Sequence, residues 1–147
     1  MRMNSLISCI ALAFVATTPS LAAENTPMSI PGGTMVDAAK AKALHDKGAI
    51  FVDARVVAEY ADKHIKGAIS VVYKETHKKV SKVDPADSFD LSKLPGDKAK
   101  TLVFYCNGSP CWRGYKAADA SIKAGYKNVN WFRDGLPAWE AKGYPTE

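Results

Sequence analysis

TLVFYCNGSPCWRGYKAA, residues 101–118, predicts a strand, a tight loop and a helix in succession. The apolar run 102–105 predicts a buried strand over 101–105, and the residues from Lys116 onward favour a helix that ends at Gly125. Such a loop directs backbone N–H groups and the positive end of the helix dipole into one small space. A cysteine in that space is expected to carry a thiolate at neutral pH. Cys106 is therefore the candidate nucleophile, and its loop is the centre of the chain.

Elements of alternating type flank this stretch on both sides. Helices are predicted over 38–47, 56–62 and 136–141, and strands over 49–52, 69–73 and 128–132. The connection 74–100 is polar and interrupted by proline and glycine, so it is expected to hold at most a short helix near 89–94. Strands that alternate with helices predict an α/β domain with a doubly wound parallel sheet and helices on both faces.

The first 23 residues have the three-part pattern of a secretory signal peptide. Arg2 supplies a positive charge, residues 6–16 are apolar, and the sequence SLAA at 20–23 permits cleavage after Ala22 or Ala23. The apolar run is too short for a good membrane span, although an uncleaved anchor is the alternative. We expect a signal peptide over 1–23, a flexible leader over 24–33 and one folded domain over 34–147. This organisation predicts a periplasmic or secreted protein without membrane association after cleavage.

The chain carries a modest excess of positive charge. It has 20 Lys and Arg against 15 Asp and Glu, and loss of Arg2 with the signal lowers the net charge from +5 to +4. The lysines are scattered without dense runs, which argues against nucleic acid as a partner. A mild excess instead favours small anionic substrates. The three histidines have no ligand spacing, so neither a metal site nor a cofactor is expected.

Three separate motifs in the sequence together form one further pattern. They are IFVDAR (50–55) with HIKGAI (64–69), FYC (104–106), and AGYKNV (124–129) with DGLPAW (134–139). In this order and spacing they resemble the rhodanese homology domain over about residues 34–145. The resemblance implies sulfur transfer: a cysteine thiolate takes the outer sulfur of a donor such as thiosulfate, becomes a persulfide and passes the sulfur to a thiol or cyanide. It also implies that Cys106 carries the sulfur and that Asp53 and Arg55 form an ion pair that supports the loop.

The rest of the loop supplies the candidate substrate-binding residues. They are Asn107, Gly108, Ser109, Pro110, Cys111, Trp112 and Arg113. The backbone N–H groups of these residues, except Pro110, are expected to stabilise the thiolate and the persulfide, while Gly108 permits a sharp turn and Pro110 stiffens the loop. Trp112 is a candidate wall of the pocket. Arg113 either binds the anionic oxygens of the donor or pairs with a carboxylate at the surface.

The length of this loop departs from the family pattern. Six residues separate Cys106 from Arg113, whereas a common single-domain rhodanese loop has four before its basic residue. The related phosphatases and arsenate reductases have five before their arginine. We therefore expect a larger or differently shaped pocket.

Cys111 gives the loop a second thiol, because Cys9 leaves with the signal. Four residues separate Cys106 from Cys111, and an oxidising compartment permits a disulfide. Three states stay open: a regulatory or catalytic disulfide, a structural disulfide and a free thiol. If Cys111 reaches Cys106, it would act as a resolving thiol that expels the persulfide sulfur as sulfide or locks the enzyme off under oxidation.

The predicted function is that of an exported single-domain sulfurtransferase, using thiosulfate or a persulfide as donor and a thiol or cyanide as acceptor. The alternative is a dithiol redox or copper-thiolate protein that uses Cys106 and Cys111 on the same fold. A third possibility is an inactive domain whose loop binds a partner.

Overall fold

The computed structural model describes residues 21–147. Its strands are β1 (Thr34–Val36), β2 (Ile50–Asp53), β3 (Ile69–Ser70), β4 (Thr101–Tyr105) and β5 (Asn128–Phe132), and its helices are α1 (Ala38–Asp46), α2 (Val57–Asp62), α3 (Arg113–Lys123) and α4 (Gly135–Ala141). A short 3-10 helix, Leu91–Lys93, lies in the connection before β4. The predicted signal peptide falls almost wholly outside the described residues. Within 21–147, no helix combines the length and apolarity needed to cross a membrane.

The five strands form one parallel sheet in the order β1-β5-β4-β2-β3. This arrangement confirms the predicted α/β fold. The central strand is β4, and its last residue, Tyr105, lies opposite Asp53 of β2 and Phe132 of β5. Because all strands run the same way, their carboxyl ends meet at one edge, which is where open α/β sheets bind ligands.

Side chains of β4 alternate between two apolar clusters, one on each face of the sheet. Leu102 and Phe104 pack in the cluster that contains Ala117 and Ala118 of α3. Val103 and Tyr105 pack in the cluster that receives α1 and α4. Helices therefore cover both faces, and β4 is buried on both, which explains its continuous apolar sequence.

One strand and one docked segment were not predicted. β1 lies between Gly33 and Asp37, whose side chain caps α1. It has only three residues, too few to show the alternation of apolar and polar side chains that marks a strand. The sequence indicated a flexible leader over 24–33, but Thr26 and Ile30 of this segment are buried. Its composition is polar, and its partners lie far away along the chain, so no local pattern marks these contacts.

Asp87 organises the long connection between β3 and β4. Its carboxylate accepts hydrogen bonds from the Thr76 and Asp84 N–H groups, at 2.7 and 3.2 Å, and from the Tyr73 hydroxyl at 3.1 Å. Burial alone would raise the pKa of Asp87, but these hydrogen bonds lower it below its usual range. The connection is thus tied to the end of β3 by an ionised carboxylate.

Candidate functional site

Cys106 lies directly after β4, at the centre of the carboxyl edge of the sheet. It is only 3% exposed, and the loop that it begins leads into α3 at Arg113. Loop residues differ in exposure: Asn107 and Pro110 are exposed, Gly108, Ser109 and Cys111 are intermediate, and Trp112 is buried. The strand, loop and helix thus follow one another as the sequence predicted.

A disulfide joins Cys106 to Cys111, with their Cα atoms 6.1 Å apart. The structure is therefore the oxidised state, in which Cys106 holds no thiolate. Within residues 21–147, neither sulfur accepts a hydrogen bond from the loop, and the Cys111 N–H donates to the Gly108 carbonyl at 3.0 Å. The predicted cradle of N–H groups around a thiolate concerns the reduced state and stays a prediction.

Two glycines let neighbouring backbone approach Cys106 closely. A Cβ on Gly114 would lie 3.1 Å from the Tyr105 carbonyl carbon and 3.3 Å from the Cys106 nitrogen. A Cβ on Gly135 would overlap the Cys106 carbonyl oxygen, and Gly135 has a φ of +62° that favours glycine in any case. The Leu136 N–H also donates to that oxygen at 3.0 Å. Both glycines were missed as site residues, although Gly135 stands in the DGLPAW motif.

A buried ion pair anchors the floor of the site, as expected for Asp53 and Arg55. The Arg55 guanidinium lies 2.7 Å from the Asp53 carboxylate, which is fully buried and also accepts a hydrogen bond from the Tyr105 hydroxyl at 2.7 Å. The guanidinium donates further to the Lys63 carbonyl at 2.6 Å and to the Asn107 side chain at 3.3 Å. The pair therefore connects β2, β4 and the cysteine loop, but its role in activity stays a prediction.

Charge and burial fix the protonation of this network. Burial alone would lower the pKa of Arg55, but the hydrogen bond and charge of Asp53 raise it above its usual value. Burial and the Asp53 carboxylate together raise the pKa of Tyr105 far above its ordinary range. Tyr105 thus stays a neutral donor, and Arg55 stays a cation. Sequence reasoning assigned Tyr105 only to the strand, because its donor role depends on the neighbouring strand.

A second set of ion pairs surrounds the outer side of the loop. Glu59 of α2 accepts a hydrogen bond from the Asn107 side chain and lies 3.7 Å from Arg113. Arg113 lies 3.4 Å from Glu75, which also pairs with the buried Lys116 at 3.3 Å. Of the two roles predicted for Arg113, this state shows the pairing with carboxylates.

In these ion pairs, the positive charges around the loop are matched by an equal number of negative charges. Within residues 21–147, the ion pairs described above join three cations, Arg55, Arg113 and Lys116, to three carboxylates. An anionic donor would therefore have to compete with Glu59 and Glu75 for Arg113. The overall positive charge of the chain did not reveal this balance, because the carboxylates come from α2 and from the connection before β4.

The segment before β1 fastens the loop from outside. Thr26 donates to the Ser109 carbonyl from its N–H at 2.9 Å and from its hydroxyl at 2.7 Å. The Trp112 indole N–H donates to the Glu24 carbonyl at 2.8 Å, and Arg133 donates to the Thr26 carbonyl at 2.9 Å. Trp112 therefore helps to anchor this segment, and its role as a wall of the substrate pocket stays a prediction.

A cavity of about 260 Å³ lies beside the loop. Its lining comes from α2, the loop and α4: Arg55, Glu59, Asp62, Lys63, Asn107, Leu136, Pro137 and Glu140. Neither cysteine contributes to the lining, so in this oxidised state the cavity adjoins the loop without exposing a sulfur. No group of three His, Cys, Asp or Glu side chains within 21–147 forms a metal-binding cluster.

Comparison with known proteins places this geometry in a family. Residues 37–142 match the Rhodanese-like domain family. No curated protein matches the chain.

Solved structures share the fold across most of the chain. The BH2092 protein from Bacillus halodurans is similar at 25% identity with a TM-score of 0.60, over 78% of this chain and 77% of that one. The Rhodanese-like domain of the Alr3790 protein from Anabaena sp. is similar at 26% identity with a TM-score of 0.58, over 77% of each chain. A thiosulfate sulfurtransferase from Pseudomonas aeruginosa has the same fold at 24% identity, with a TM-score of 0.58, over 78% of this chain and 20% of that one. With its family match extending over most of its length, the chain belongs to the rhodanese-like domain family.

Proposed function

We propose that the protein, once its disulfide is reduced, is a sulfurtransferase that carries sulfane sulfur on Cys106. The observation that carries this proposal is the place of Cys106 after the central strand of a rhodanese-like domain, directly before a loop and the start of α3. The fold shared with a thiosulfate sulfurtransferase supports it.

The proposed reaction has two steps. The Cys106 thiolate attacks the outer sulfur of thiosulfate, so that a bond forms between Sγ and that sulfur while the sulfur–sulfur bond of the donor breaks. Sulfite leaves with the electron pair. A thiol or cyanide then takes the outer sulfur from the persulfide and restores the thiolate. In the reduced state, the N–H groups of the loop and the start of α3 would stabilise both anions.

The pairing of Arg113 with carboxylates affects which sulfur donor can bind beside the loop. Thiosulfate is a dianion, and its binding to Arg113 requires that the guanidinium give up contacts with Glu59 or Glu75. A persulfide donor carries less charge and competes less with these carboxylates. The proposal therefore includes both donors, and we expect thiosulfate to bind weakly.

Mass spectrometry combined with sulfite release tests the proposal. The reduced protein, freed of reductant and given thiosulfate, should release sulfite. The Cys111→Ser variant should gain the mass of one sulfur atom, about 32 Da, because it can hold the persulfide. Cys106→Ser is the matched control and should do neither. Absence of both sulfite and mass gain from folded, reduced protein would overturn the proposal.

We also propose that the protein is exported and acts outside the cytoplasm. The support is the signal-like pattern of residues 1–23, together with two loop cysteines that an oxidising compartment would keep paired. N-terminal sequencing of the protein from fractionated cells tests this: the chain should begin at Ala23 or Glu24 in the exported fraction. A cytoplasmic protein with an intact start would contradict it.

The disulfide favours a second candidate function, that of a dithiol redox protein. Such a protein exchanges electrons with other thiols through Cys106 and Cys111 and needs no sulfur donor. Equilibration with glutathione at graded ratios, followed by thiol counting, tests it. A redox protein should interconvert fully without thiosulfate, whereas a disulfide that resists reduction in the folded protein would exclude this function. The copper-thiolate version lacks a supporting observation.

A further inference from the structure

We propose that Cys111 is a second catalytic residue, which attacks the Cys106 persulfide and releases its outer sulfur as hydrogen sulfide. The inference rests on the proposed transfer of sulfur to Cys106. It changes the product: the protein would reduce sulfane sulfur to sulfide instead of handing it on intact. The disulfide in the structure is then the product state of this reaction.

The balance of the step is complete. The Cys111 thiolate attacks Sγ of Cys106, and a bond forms between the two Sγ atoms. The bond between Sγ of Cys106 and the outer sulfur breaks, and hydrosulfide leaves with the electron pair. The sulfane sulfur gains two electrons, and the two cysteines lose them. An external dithiol then reduces the disulfide, so the net reaction converts thiosulfate and a dithiol into sulfite, hydrosulfide, a proton and a disulfide.

Contacts apart from the disulfide hold the loop in the closed shape that this attack needs. The Cys111 N–H donates to the Gly108 carbonyl within the loop, and the Leu136 N–H holds the Cys106 carbonyl from α4. Outside the loop, Thr26 holds the Ser109 carbonyl with two hydrogen bonds. Because none of these contacts involves a sulfur atom, the reduced loop can retain them. Cys111 would then stay within reach of Cys106 at a high effective concentration.

The position of Cys111 in the same loop favours it as the first thiol to reach the persulfide. Cys106 is 3% exposed in this oxidised state, so a donor or an acceptor from solvent reaches its sulfur only when the reduced loop exposes it. Cys111 lies in the same loop and needs no access from solvent. It is also more exposed than Cys106, so an external dithiol is expected to attack Cys111 in the return step and release Cys106 as the thiolate. The difference in exposure thus favours Cys111 as the sulfur that the external dithiol attacks.

A single-turnover experiment without reductant tests the inference. Reduced wild-type protein, freed of dithiothreitol, is mixed with thiosulfate, and sulfite, sulfide and protein mass are followed together. We expect about one sulfite and one sulfide per chain, with loss of both thiols and a final mass about 2 Da below that of the reduced protein. Reductant must be absent, because a free dithiol would itself release sulfide from a persulfide.

The matched variant is Cys111→Ser, which keeps the size of the side chain and removes the attacking sulfur. It should release sulfite, produce no sulfide and hold the added sulfur. Wild-type protein that releases sulfite but keeps a stable persulfide would overturn this inference alone. Absence of sulfite from both proteins would overturn the proposed function and this inference together. Even if the variant fails to fold, the wild type tests the inference: about one sulfide per sulfite supports it, and sulfite without sulfide overturns it.

Discussion

Replacing Asp53 by asparagine should remove much of the stability of the domain. The Asp53 carboxylate is fully buried and accepts hydrogen bonds from the Arg55 N–H at 2.9 Å, from the Arg55 guanidinium at 2.7 Å and from the Tyr105 hydroxyl at 2.7 Å. Asparagine has nearly the same volume, so packing changes little. It removes the negative charge and replaces one carboxylate oxygen by an NH2 donor, although the Arg55 groups that faced this oxygen can only donate.

The loss in the free energy of unfolding follows from the unpaired Arg55 cation that the substitution leaves buried. Arg55 is buried, and the loss of its partner leaves a cation without compensation, which costs about 3–5 kcal/mol. For a domain of this size, that corresponds to a melting temperature lower by roughly 10–20 °C. Because Arg55 also contacts Asn107, sulfite release from thiosulfate should fall as well.

Urea unfolding of the oxidised protein, followed by tryptophan fluorescence, measures the effect. Asp46→Asn is the matched control, since Asp46 pairs with Lys42 at 2.6 Å but is 58% exposed. The control should lose less than about 1 kcal/mol, because water screens exposed pairs. Equal unfolding midpoints for the two variants would refute the reasoning that burial makes this pair important.

Three further predictions concern Gly135, Glu59 and Asp87. Gly135→Ala should cost more than about 2 kcal/mol in unfolding experiments, because its Cβ overlaps the loop backbone; Gly48→Ala, which has φ +84° and open space, should cost only about 1 kcal/mol, and similar losses would contradict the steric argument. Glu59→Gln removes one of the two carboxylates that pair with Arg113 and should lower the KM for thiosulfate several-fold, with a smaller effect at high salt. An unchanged KM would contradict competition between Glu59 and the donor for Arg113. Asp87 has a depressed folded pKa, so its contribution to stability is present above the unfolded value, near 3.8, and is lost as pH falls through the lower folded pKa; Asp87→Asn should flatten this acid branch of the urea midpoint between pH 6 and 2, and an unchanged branch would contradict its role.

Local patterns in the sequence were sufficient for the elements that build the site. The apolar run of β4 was predicted with the bounds that the structure has, because a strand buried on both faces is continuously apolar. The Asp53–Arg55 pair was expected from its motif. The two residues are only two positions apart, so the turn of the chain at the end of β2 is sufficient to bring their side chains together. Gly135 escaped notice as a site residue, because its requirement comes from the Cys106 carbonyl and not from its own neighbours.

The sequence by itself determined the α/β fold, the place of Cys106 after the central strand and the membership of the rhodanese-like family. Only the tertiary structure decided the state of the loop: that Cys111 bonds to Cys106, that Glu59 and Glu75 occupy Arg113, and that Thr26 fastens Ser109 across 83 positions of the chain. The physical reason is the range of the interactions. Periodicity and short motifs reflect contacts between residues that are close in sequence. The residues that contact the loop are distant in sequence, and the order of the strands in the sheet brings them to it. The chemistry proposed for Cys106 and Cys111 depends on both: the sequence supplies the two thiols, and the fold brings them together.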